Sequence, residues 1–206
     1  MCDEYSIEKH IHRLAAWAAT RAIARAVSVK GYSITVENGV SLLANNGFND
    51  SFSLNDLPKP NQKDVDKMHK KWRDKIKTSS VEFLGKSIPN KKSSSKKDRK
   101  KVMKSEVFTD GIAAKLINCY LKIRFVCSGK HEDDRVKALH PPVDRQLLGR
   151  LAEKNSGGHE IKWREYEGIG WSNFNSEQYS DVITLIRESL NGQPLWKIEK
   201  YWPGYK

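Results

Sequence analysis

Apolar residues recur at helical spacing along most of this chain, and strand-like alternation is almost absent. In SIEKHIHRLAAWAATRAIARAVS, residues 6–28, the positions Ile7, Ile11, Leu14 and Ala18 share one face. The spacing predicts a helix capped by Ser6, with that stripe turned inward and alanines that let neighbours come close. KGYSITVENG breaks the pattern, and VSLLANNGF reads as a short second helix stopped by Gly47. A loop over 51–61 carries Pro58 and Pro60. A third helix is expected over about 62–77, with Val65, Met68, Trp72 and Ile76 aligned.

The longest stripe lies in FTDGIAAKLINCYLKIRFVC, residues 108–127. Ile112, Leu116, Cys119, Ile123 and Val126 line up there, with Thr109 or Asp110 as the cap. Lys115 falls at the margin of this stripe, and Arg124 well away from it. After a polar connector, HPPVD opens a further helix with Val143, Leu147 and Leu151 inward. EIKWREYEGIGWSNF reads as a glycine-bearing loop, and a last helix is expected over about 176–190. YSITVE is the one stretch with any strand character. The class is therefore mainly α, as a single helical domain over 1–206.

Charge changes this picture. The chain has 37 Lys+Arg against 25 Asp+Glu, a net charge of +12, which points to a polyanionic partner such as nucleic acid. The excess is densest in a basic insertion at about 86–106. Between Lys91 and Lys104 it holds eight basic residues, one acid and three serines. That run is too polar to fold alone and reads as exposed and mobile, with Lys91, Lys92, Lys96 and Lys97 as candidate phosphate contacts. No run of apolar residues is long enough to span a membrane. The odd cysteine count, Cys2, Cys119 and Cys127, lacks any C-x-x-C pair. A reducing cytoplasm is expected, with no disulfide framework, metal or other cofactor.

A lysine on one helix and an aspartate at the mouth of the next stand twenty-nine positions apart. Gly111-Ile112-Ala113-Ala114-Lys115-Leu116-Ile117-Asn118 is similar to the G-V-G-x-K-T-A-N hairpin of the helix-hairpin-helix DNA glycosylases. Pro142-Val143-Asp144 resembles that family's P-V-D segment, and Arg150-Leu151 its R-h ending. Ala113 replaces the second hairpin glycine, and Thr109-Asp110 replaces the usual L-P. The long connector resembles the archaeal 8-oxoguanine glycosylase branch. The four-cysteine cluster of the endonuclease III branch is missing.

The resemblance implies a helix-hairpin-helix-like fold acting on double-stranded DNA with a flipped base. It implies Asp144 as the carboxylate that stabilises an oxocarbenium-like sugar, and Lys115 as the amine that forms a Schiff base. Gly111 and Ala113 would approach a DNA phosphate, with Arg145 beside them. Trp17, Trp163, Trp171, Tyr166 and Phe174 are the aromatic choices for a base pocket. Each residue also has a plainer reading. Asp144 follows two prolines at a helix start, where aspartate is a common cap. A lysine at the edge of an apolar stripe commonly snorkels. A DNA- or RNA-binding module without chemistry is thus the alternative expectation, and a protein-interaction domain with an acidic partner is a further one.

Overall fold

The computed structural model describes residues 5–86 and 102–204, and the fold is mainly α-helical. The first helix, α1 (Ile7–Val29), starts at Ser6, whose hydroxyl accepts from the Lys9 N–H. It does not bury the expected stripe. Ala15, Ala16, Ala19, Ile23 and Val27 face the core, while Ile7 is 64% and Leu14 48% exposed. Side-chain size decides between the faces, because short side chains let a neighbouring helix axis approach closely. The alanine face therefore receives the central helix, and the bulkier stripe is left outside.

A short strand, β1 (Tyr32–Ser33), pairs antiparallel with β2 (Gly85–Lys86). Only the first two residues of YSITVE are thus extended in a ladder. Thr35 caps α2 (Val36–Asn45), which starts earlier than the apolar pattern suggested. Gly39 of α2 packs on Thr20 of α1, where a Cβ would come within 2.2 Å of the threonine side chain. The third helix, α3 (Gln62–Phe83), buries Val65, Trp72 and Ile76 as expected and runs six residues further.

The central helix is α4 (Asp110–Leu121), capped by Thr109. Every residue in it except Cys119 is buried, so it has no solvent face. It packs on α1 and α3 on one side. Polar groups in such a helix need partners. Asp110 has them in Arg73 (2.8 Å) and Lys77 (2.6 Å). Beyond α4 the chain continues as a π-helical stretch, Lys122–Lys130, that ends near Gly129 at φ 85°. Arg124 in this stretch is buried despite lying off the apolar stripe. It donates to the carbonyls of Glu8 (2.6 Å), Asp50 (3.1 Å) and Phe52 (3.0 Å), so it binds the loop after α2 to the start of α1.

A single helical turn, α5 (Asp134–Lys137), precedes the prolines, and α6 (Arg145–Glu153) buries Leu147 and Leu151. The stretch 160–174 is not a loop. It forms α7 (Glu160–Ile169) and a 3-10 turn, Trp171–Asn173. Gly168 is accommodated inside the helix, and Gly170, at φ 79°, ends it. Asn175 and Gln178 form a reciprocal cap on α8 (Ser176–Leu190), and a 3-10 segment, Leu195–Tyr201, follows. Among the described residues no helix is long and apolar enough to cross a membrane.

The buried apolar residues form two clusters. One joins α1 to α4, and the other joins α6, α7 and α8 around the fully buried Trp163. Helix α4 contributes to both, and Trp171 packs against both. A cleft opens at that seam.

Candidate functional site

The seam cleft has a volume of about 330 Å³. Ala18 and Ala22 of α1 form one wall, Lys115 and Cys119 of α4 the floor, and Trp171 and Trp202 the flanks. Asp144 enters beside Pro142. Its placement follows from local sequence. The two prolines fix an extended lead-in, and Asp144 then takes the extended N-cap conformation of α6. Its two carboxylate oxygens do separate work: Oδ1 accepts from the Leu147 N–H at 2.9 Å, and Oδ2 from Lys115 Nζ at 3.1 Å. The cap and the cleft-facing carboxylate are thus the same residue in one rotamer.

Lys115 is 8% exposed, and its amine also lies 5.8 Å from the centre of the Trp171 ring. A second ion pair lines the same cleft. Lys122 meets Glu199, and the Lys122 amine sits 5.2 Å from the centre of the Trp202 ring. Burial raises the pKa of the Glu199 carboxyl, against the pull of Lys122 and Lys115, and Asp144 adds to the rise. Burial likewise raises that of the Cys119 thiol. Lys122, Glu199 and Trp202 escape sequence reasoning, although two signals point to them. Lys122 lies two helical turns after Lys115, and Glu199 is the single acid in PLWKIEKYWPGYK.

The other expected site residues are placed differently. Gly111 and Ala113 do not line an exposed hairpin. Gly111 is buried under the 171–174 turn and donates its N–H to the Phe174 carbonyl, and the Ala113 N–H is bonded to Thr109. Both donors are consumed inside the protein, so neither can hold a DNA phosphate. Asp110 is likewise neutralised by Arg73 and Lys77. Arg145 is exposed at the first position of α6, next to Asp144. Lys91, Lys92, Lys96 and Lys97, with most of the 86–106 insertion, lie outside the described residues. Of the aromatic choices, Trp171 lines the cleft and Trp17 is exposed on α1. Trp163, Tyr166 and Phe174 are core.

Behind the floor, a buried polar network joins α4 to the lead-in that delivers Asp144. Asn118, one turn after Lys115, donates to the Pro141 carbonyl (2.9 Å) and to the Tyr179 hydroxyl (3.0 Å). Its carbonyl oxygen lies 2.7 Å from His69 Nε2. His140, in the lead-in to Asp144, shares hydrogen bonds with Tyr179 (3.0 Å) and Asp66 (2.8 Å). Burial works against the charged form of Asp66, yet hydrogen bonds from His140 and Arg187 bring its pKa down to about 2. Burial holds the His69 imidazole well below its usual pKa, aided by the positive neighbours His140 and Arg73. Burial also lowers that of His140.

These shifts give a signed prediction. A histidine with a folded-state pKa below its unfolded value near ~6.5 takes up its proton on unfolding. Its contribution is present above that pH and lost as pH falls through and below it. Each such group should cost up to about 1.4 kcal/mol per pH unit in that window. Denaturant unfolding at pH 7.5 and 5.5 is expected to show the loss, and His69→Gln to flatten it. An equal pH dependence in the variant would refute the assignment to His69.

Compared with family models, with curated proteins and with solved structures, the chain shows no match.

Proposed function

We propose that the protein is a DNA glycosylase with AP-lyase activity, excising a damaged or modified base from duplex DNA. One observation carries the reading: the Lys115 amine and the Asp144 carboxylate are 3.1 Å apart in a cleft flanked by Trp171 and Trp202. The net charge of +12 suits a polyanionic substrate. The cleft volume of about 330 Å³ falls at the small end of ligand pockets, which fits one extruded nucleotide rather than a duplex.

In this reading the C1′–N bond breaks with its electron pair leaving on the base, and Asp144 stabilises the positive charge that develops on the sugar. Lys115 gives one proton to the departing base, and its freed amine bonds to C1′. A second proton from that nitrogen passes to O4′ as the C1′–O4′ bond opens, which leaves a protonated Schiff base. The ion pair holds the amine in place before reaction. Lys122 and Glu199 offer hydrogen-bonding groups to the edge of a base stacked between the tryptophans.

The test is borohydride trapping on a panel of duplexes carrying oxidised, alkylated, deaminated and methylated bases. A covalent protein–DNA adduct is expected from at least one substrate, and Lys115→Gln should abolish it. No adduct and no base release from any duplex would sink the enzymatic reading. A binding module without chemistry would then stand. It is favoured by the mutual satisfaction of Lys115 and Asp144 in the resting site.

A further inference from the structure

The sealed N–H groups of Gly111 and Ala113 leave open what grips the DNA at this cleft. The unexpected orientation of α1 supplies an answer. Its outward stripe, Ile7, Ile11, Leu14 and Ala18, runs along the helix and reaches the cleft, whose wall is Ala18 and Ala22. At about 100° per residue, Arg25 falls within about 20° of Ala18 on the same stripe, and Arg21 within about 60°. Trp17 stands beside them, 50% exposed. Exposed apolar residues and arginines thus share one side of α1, next to the cleft wall at Ala18 and Ala22.

Charge selects the partner. Arg21 and Arg25 are exposed, and neither forms an ion pair or hydrogen bond among the described residues. This separates them from Arg73, Arg124 and Arg187, which are all engaged internally. The single acid of α1, Glu8, sits at its far end. Four residues apart, the two arginines are separated by about 6 Å along the helix axis, so they can take successive phosphates of one strand.

We propose that this face of α1 is the DNA-strand platform of the cleft. Arg21 and Arg25 hold phosphates flanking the extruded nucleotide, and Trp17 packs against the base stack it leaves. The proposal rests on the glycosylase reading for the position of that nucleotide.

The test is fluorescence anisotropy with a duplex containing a tetrahydrofuran abasic analogue, titrated in salt, using the full chain. Losing two phosphate contacts should lower the slope of log K against log salt by about 2. For Arg21→Gln/Arg25→Gln that amounts to a weakening on the order of 50-fold at 0.1 M salt. Trp17→Ala should cut the preference for abasic over intact duplex by about tenfold and leave the slope alone. A double-arginine variant with the parent slope, in a protein that still forms the adduct, overturns this proposal alone. Wild-type protein that neither binds nor traps DNA overturns the glycosylase reading as well. If Leu14→Glu changes the mass of the particle in sedimentation and DNA affinity is untouched by every variant, the face joins protein chains and the proposal is wrong.

Discussion

Gly111→Ala is expected to destabilise the protein by about 3 kcal/mol or more, lowering the melting temperature by roughly 6–12 °C. An added Cβ would lie 1.8 Å from the Trp171 carbonyl oxygen and 3.2 Å from the Phe174 Cβ. The obstacle is backbone, which cannot swing aside as a side chain does. The Gly111 N–H also donates to the Phe174 carbonyl at 3.1 Å, so the turn is fastened to α4 at the point where it would have to retreat. The damage should reach the cleft, because Trp171 heads this turn and flanks Lys115. Circular dichroism melting checks the first effect. Tryptophan fluorescence, compared between Gly111→Ala and a Trp171→Phe control, checks the second. A melting temperature within 2 °C of the parent would refute this account of the packing at Gly111.

The same glycine shows how sequence and structure divide the information. Its presence is legible from the sequence, but its purpose is not. A glycine ahead of a lysine on a helix reads as a close approach to a phosphate, whereas here the close approach is to the protein's own 171–174 turn. Local signals served well where they act within one element. Ser6 and Asp144 work through bonds spanning three residues, so the sequence contains both partners. The stripe on α3 is likewise local.

What failed depends on distant partners. Two faces of α1 were available, and the choice was made by α4, about ninety residues away in the chain. Arg124 lies well away from the apolar stripe, and its burial rests on the backbone carbonyls of Glu8, Asp50 and Phe52, which have no sequence signature. Glycines in 160–174 suggested a loop, but Trp163 and Tyr166 bury against α6 and α8, and tertiary packing carries the helix through Gly168. The cleft itself mixes both kinds. Lys115 and Asp144 are legible as a pair, while Glu199 joins them only because the chain end folds back.

Replacing Asp144 with asparagine separates the two tasks of this carboxylate. Asparagine caps a helix about as well as aspartate, so the bond to the Leu147 N–H survives and α6 starts where it did. The amide has one acceptor oxygen, however, and the cap uses it. The NH₂ group then turns toward Lys115, whose ammonium loses its counter-charge in a site where it is 8% exposed. The expected cost in stability is about 1–3 kcal/mol, below that of a fully buried pair because the Asp144 side chain is 22% exposed. On the proposed glycosylase reading, the expected loss in single-turnover base excision is about 10²–10³-fold, since the charge proposed to stabilise the sugar cation is gone. Asp144→Ala should match asparagine in excision and lose about a further 1 kcal/mol of stability through the missing cap. Were Asp144 only a cap, the pattern would invert: asparagine would excise like the parent, and alanine would fail through unfolding alone. Lys115→Gln combined with Asp144→Asn should lose little more activity than either single change, because two groups serving one step are not independent. Additive losses would place the two residues in separate steps.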